Sequence, residues 1–166
     1  KLFYFAALNL LDHCDSLLFE IYKNLGNMAL RAGDRDEAEE LYNRAYTIDS
    51  RSDVLFVNFG TLEIQRENYE RALEHYRTAL VFNEKSDNAW IGLALIHNHM
   101  GDQELALANI EKALDLNANN ETALKLYAVW GLQGWRLDRV IFRLQDFLVD
   151  HDQNSEIGFL LAKALV

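Results

Sequence analysis

The feature that most constrains this chain is a repeat every 34 residues. One column reads Tyr22, Phe56, Trp90, Leu124, and the next reads Leu25, Phe59, Leu93, Tyr127. A small column follows with Gly26, Gly60, Ala94, Ala128. Further on come Ala38, Ala72, Ala106, Val140, then Tyr42, Tyr76, Ile110, Leu144, then Ala45, Ala79, Ala113, Phe147. A fixed period of this size means stacked copies of one supersecondary unit. Within each copy, apolar residues recur at three- and four-residue spacing in two segments, the pattern of two amphipathic helices. The small column lets the two helices of a pair cross closely, and a larger side chain at Gly26 or Ala94 would overpack by about 1–3 kcal/mol.

Turn signals fall between the segments. Gly33-Asp34 and Gly101-Asp102 join a helix-ending glycine to an N-cap aspartate. Asp34 and Glu37 have capping-box spacing. Asn68 and Asn120 are expected to cap the helices that follow them.

The motifs YKNLGNMALRAGDRDEAEELYNRAYTID, FVNFGTLEIQRENYERALEHYRTALVFN and WIGLALIHNHMGDQELALANIEKALDLN resemble the tetratricopeptide repeat, TPR. A fourth copy, LKLYAVWGLQGWRLDRVIFRLQDFLVDH, is degenerate. The resemblance runs from about Phe19 to Asn154. It implies an all-α fold: an α-solenoid of tandem antiparallel helix pairs, wound into a right-handed superhelix. The expected division is residues 19–52, 53–86, 87–120 and a degenerate 121–154. Residues 1–18 read as the second helix of a truncated preceding repeat plus a turn at Asp12–Ser16, and 155–166 as a C-terminal or capping helix. The family often carries proline in the turn between repeats. Here Ser50, Glu84, Ala118 and Asp152 stand there, and the chain of 166 residues holds no proline, which leaves the stiffness of those turns open.

Half of the residues are hydrophobic, enough to bury a core and to set disorder aside. The net charge of -10 repels phosphate backbones and argues against a nucleic-acid partner. The apolar opening Lys1–Leu11 lacks a basic leader and a cleavage site. Leu11-Asp12-His13-Cys14 is no lipoprotein box, because Asp12 and His13 stand where small residues belong. No apolar run is long enough to span a bilayer. Cytoplasmic placement is expected, a periplasmic or membrane-complex-associated one being the alternative, with no direct membrane insertion. Both ends run in helical pattern without caps, which points to a piece of a longer protein.

Chemistry is hard to find. His13 beside Cys14 on a turn does not make a catalytic dyad. His97 and His99 point about 200° apart on a helix and cannot share one metal ion. The acidic run Asp34–Glu40 reads as a solvated face with favourable charge at a helix start. Trp90 belongs to the core, whereas Trp130 and Trp135 lie off the repeat frame and read as repacking of the altered copy, the alternative being an exposed interface anchor. No enzyme activity, cofactor, metal or small-molecule substrate is expected.

In the family the first helix of each pair lines a concave groove. That implies a protein or peptide partner held by Lys23, Asn24, Asn27, Val57, Asn58, Thr61, Ile91, Leu95 and Val129. Asn24 and Asn58 are equivalent and could grip an extended backbone, because an amide both donates and accepts. Val57, Ile91, Leu95 and Val129 form an apolar stripe suited to a helix or strand. Lys23, Asn27 and Asn58 match three residues of the co-chaperone carboxylate clamp, but Asn88 and Gly92 stand where its other two cations belong, which removes the charge-assisted bonds that capture needs. The reading is a non-enzymatic scaffold or adaptor. The alternatives are a self-assembling module, forming homo-oligomers through the apolar final helix, and a regulatory or targeting domain of a larger protein.

Overall fold

The computed structural model describes residues 15–132 and 137–166. Among them stand nine helices and no strand: α1 (Asp15–Arg31), α2 (Arg35–Ile48), α3 (Asp53–Gln65), α4 (Tyr69–Phe82), α5 (Asp87–His99), α6 (Gln103–Leu116), α7 (Glu121–Gly131), α8 (Leu137–Asp150) and α9 (Ser155–Ala164). The expected helix over Lys1–Leu11, the His13–Cys14 pair and Trp135 lie outside the described residues. Asp15 and Ser16, expected in a turn, already belong to α1. The chain forms two compact units, one ending at Glu84 and one beginning at Lys85. The first holds the pairs α1–α2 and α3–α4, the second α5–α6 and α7–α8 with α9 packed on α7 and α8.

The turns inside pairs show why the helices stop where they do. Gly33 and Gly101 adopt φ of 84° and 83°, a left-handed conformation that glycine enters without a Cβ penalty. The following amides fold back, Asp34 N–H to Ala29 O (3.0 Å) and Asp102 N–H to His97 O (2.9 Å). Asp34 Oδ1 then accepts from Glu37 N (3.1 Å) and Asp102 Oδ1 from Leu105 N (3.1 Å), and Asn120 likewise caps Ala123 (3.0 Å). Asn68 does not act as expected: its side chain makes no capping bond. The turn before it is nevertheless the same, with Asn68 N–H on Glu63 O at 2.9 Å, but Glu67 takes the left-handed place at φ 61°. A side chain there costs about 1–2 kcal/mol. Glu67→Gly is therefore expected to raise stability by about 1 kcal/mol, read as a higher thermal midpoint.

In two of the turns that follow a pair, an asparagine is anchored to the start of that pair. Asn83 closes α4 and its Nδ2 donates to Asp53 Oδ2 at the start of α3 (2.7 Å). Asn117 does the same to Asp87 Oδ2 (2.7 Å), where Asn120 Nδ2 adds a second bond (2.9 Å). Each links the end of a pair to its own beginning, so a charged acceptor holds the geometry that a fixed φ would otherwise supply.

The core explains the small column. A Cβ on Gly26 would sit 2.6 Å from Tyr42 Cδ1, and one on Gly60 2.8 Å from Tyr76 Cε1. Glycine is needed where the second helix lays a tyrosine ring on the first. In the second unit the partners at this place are Ile110 and Leu144, both 0 % exposed, and the small residue relaxes to Ala94 and Ala128. Trp90 and Trp130 are half-buried against the second unit's core, in keeping with repacking of Trp130.

Candidate functional site

The residues expected to face a partner fall in both units. Lys23, Asn24 and Asn27 lie on α1, and Val57, Asn58 and Thr61 on α3, helices in contact within the first unit. Lys23 is bound to both carboxylate oxygens of Glu20 (2.7 and 2.8 Å) and lies 5.6 Å from the Phe19 ring centre. Asn27 Oδ1 accepts from the Tyr42 hydroxyl (2.8 Å). Thr61 is its equivalent: its hydroxyl donates to Val57 O (2.9 Å) and shares a hydrogen bond with the Tyr76 hydroxyl (3.2 Å). Asn27 and Thr61 thus serve the fold, each satisfying a tyrosine phenol that burial would otherwise strand.

Two chain-long columns follow from this. Where the second helix carries Tyr42 and Tyr76, the first carries Asn27 and Thr61. Where it carries Ile110 and Leu144, the first carries Leu95 and Val129. The change from polar to apolar along the supposed groove therefore tracks an internal partner. Leu95 and Val129 still keep 36 % and 46 % of their surface exposed. Ile91 does not: it is 5 % exposed inside the second unit's core and leaves the set of candidate contacts. Its side chain is held by neighbours from other helices, which the helical spacing alone does not distinguish from an exposed position.

Asn24 and Val57 are half-buried. So is Asn58, whose Nδ2 is sealed off without a hydrogen-bond partner, a rare state for a buried donor. His97 is half-buried and His99 exposed. No group of three or more His, Cys, Asp or Glu among the described residues could hold a metal ion, and no described helix is long and apolar enough to cross a membrane.

Sequence reasoning missed Arg66. Its guanidinium pairs with Glu63 (3.2 Å) on its own helix and reaches Asp36 (3.1 Å) and Glu39 (2.8 Å) on α2. The run Asp34–Glu40 is therefore not only a solvated face; two of its carboxylates clasp the next helix pair. In the second unit Lys125 ties α7 to α9 through Glu156 (2.7 Å).

Burial pushes the Tyr42 phenol well above the usual range, and the Tyr76 phenol up from 10.0 to about 12 against the weaker opposing effect of its bond to Thr61. The folded state thus holds these protons longer than the unfolded chain. Stability from them is complete below pH 10 and is lost as pH climbs toward 12. Alkaline unfolding followed by circular dichroism should steepen over that window, and Tyr76→Phe should flatten it.

Two models of the tetratricopeptide repeat match the chain, at residues 19–52 and 57–121, more than half of its length. No curated protein matches it. Among solved structures, PilF of Pseudomonas aeruginosa is 16 % identical with TM-score 0.76, covering 91 % of this chain and 69 % of its own. The APC/C hetero-tetramer Cut9-Hcn1 is 20 % identical with TM-score 0.70 over 89 % of this chain, which spans only 30 % of that one. The first TPR of Spaghetti (RPAP3), bound to an HSP90 peptide, is 22 % identical with TM-score 0.64, covering 71 % of this chain and 96 % of its own. The paired helices, the glycines beneath tyrosine rings and these matches agree: the chain belongs to the tetratricopeptide-repeat family and is an all-α solenoid of tandem antiparallel helix pairs.

Proposed function

We propose that this protein is a non-enzymatic interaction module that binds an extended or helical segment of another protein on the first helices of its pairs. The reading rests chiefly on Asn58, whose Nδ2 is a sealed donor with no partner on a helix carrying the half-buried Val57 and the exposed Val54. Turned outward about its side-chain torsions, that amide would meet a backbone carbonyl of a partner, and Asn24 offers the same group one repeat earlier. Leu95 and Val129 supply apolar contact in the second unit. The RPAP3 domain holds an HSP90 peptide, but the carboxylate-clamp version of that mode is not favoured here. Lys23 is already neutralised by Glu20, and Gly92, buried in α5, brings no charge.

The test is selection of binding peptides from a displayed proteome library, followed by calorimetric titration of the best binder. Asn58→Ala and Leu95→Glu are each expected to weaken it about tenfold, with Val81→Glu, at a site 81 % exposed on α4, as the neutral comparison. Equal affinity for all four proteins would overturn the reading. A self-assembling module is the second reading, supported by Phe159 and Leu165 of the C-terminal segment, 68 % and 59 % exposed. Monomers at every concentration in sedimentation would remove it.

A further inference from the structure

The first unit carries another cleft, of about 410 Å³, that shares no residue with the α1–α3 face described above. Aromatic groups form one side of it: His75 stacks on Phe59 with ring centres 5.3 Å apart, Phe56 lies 6.0 Å from His75, and Tyr46 meets Phe56 edge-on at 6.0 Å. Burial lowers the pKa of His75, against the nearby Glu63 and Glu74 charges that raise it, which favours the neutral ring in this stack. Glu63 completes the wall. It is 4 % exposed; Oε1 takes the Arg66 guanidinium (3.2 Å), while Oε2 has no partner. A buried carboxylate oxygen left unpaired is costly.

The second unit has a cleft at the corresponding place, and it holds guanidinium groups. Two repeats further along, about 540 Å³ is lined by Glu111, Tyr127, Arg139, Phe142 and Arg143 among others. These occupy the places of Asn43, Phe59, Arg71, Glu74 and His75. There the chain supplies its own guanidinium groups: Arg139 reaches Glu111 (3.3 Å) and Arg143 pairs with Asp115. The first unit has His75 where Arg143 stands, and Asn43 and Thr47 where Glu111 and Asp115 stand; its own carboxylates, Glu39, Glu63 and Glu74, line the cleft from other positions of the repeat. Arg71 lies on its exposed rim; of the three carboxylates there, Glu39 and Glu63 also meet Arg66, and the second oxygen of Glu63 stays without a partner.

We propose that this cleft is a second binding site, which takes an arginine side chain of a partner protein, its guanidinium stacked on the Phe59–His75 rings and bonded to Glu63 and Glu74. A planar guanidinium both stacks on rings and donates in a fork, and sheds water more readily than a lysine ammonium. The net charge of -10 steers a cationic partner toward the surface.

The experiment is an NMR titration of the whole chain with Nα-acetyl-arginine N-methylamide. Its citrulline counterpart, of the same shape but uncharged, serves as comparator. The arginine probe is expected to shift the His75 and Phe59 ring signals saturably and the citrulline probe not to. Glu63→Gln should weaken the response about tenfold, and His75→Arg should abolish it by filling the cleft from within. Far-UV circular dichroism checks each fold. Should Glu63→Gln fail to fold, His75→Arg and Glu74→Gln carry the test. An unsaturable response, equal shifts by both probes, or folded variants that respond like wild type would overturn the proposal.

Discussion

Gly26→Ala is expected to destabilise the first unit by about 1–3 kcal/mol, although alanine is the better helix former by about 1 kcal/mol. The added Cβ would lie against the Tyr42 ring, and Tyr42 cannot retreat: it is 0 % exposed and its hydroxyl is held by Asn27. Overpacking outweighs propensity. The sharper outcome is the coupling. Changing Asn27→Leu and Tyr42→Ile together with Gly26→Ala copies the second unit's solution, in which Ala94, Leu95 and Ile110 take these places. The triple variant should recover most of the loss, a non-additivity of 0.5 kcal/mol or more, on the order expected for residues in contact. Denaturant midpoints of the single, double and triple variants measure it. Strict additivity would show that the ring and the glycine do not constrain one another.

Tyr127→Ala should be more damaging, at about 3–5 kcal/mol, the range for emptying a large aromatic site. Tyr127 is 1 % exposed in the second unit's core, and its hydroxyl donates to Glu111 (2.7 Å), bringing α7 onto α6. Truncation leaves both a cavity and a carboxylate stripped of one partner. Tyr127→Phe isolates the second effect, expected at about 1.5–3 kcal/mol for a bond to a charged group. Because contacts in a repeat array are between neighbours, the loss should be local. Hydrogen exchange should quicken across α6 to α8 while α1 to α4 keep their protection. Uniform acceleration through the chain would mean that it unfolds as one cooperative block.

How far the molecule is legible from residues alone depends on whether a feature is set within one repeat or between repeats. The helix pairs, the glycine turns at Gly33 and Gly101 and the caps at Asp34, Asp102 and Asn120 are local; each follows from backbone conformation and a hydrogen bond spanning a few residues. Asn68 fails as a cap although the same residue type succeeds at Asn120, since propensity does not say whether the side chain turns toward the helix. The candidate site was less legible. Lys23, Asn27 and Thr61 look like free polar groups on one helix face, but Glu20 on the same helix and Tyr42 and Tyr76 on the next occupy them. Ile91 differs from Leu95 only in which neighbours close over it.

The sequence by itself determined the repeat, the all-α class and the column of small residues where paired helices cross. These are encoded in spacing, and helical geometry converts spacing directly into faces. Only the tertiary structure decided that Arg66 gathers carboxylates from the preceding pair and that Asn83 and Asn117 do the work of absent prolines. It also decided that Glu63 keeps an unpartnered oxygen behind a stack of rings. Each depends on side chains far apart in the sequence, thirty residues in the two asparagine links, and on how helices pack within a pair or one pair on the next, for which the linear pattern holds no signal.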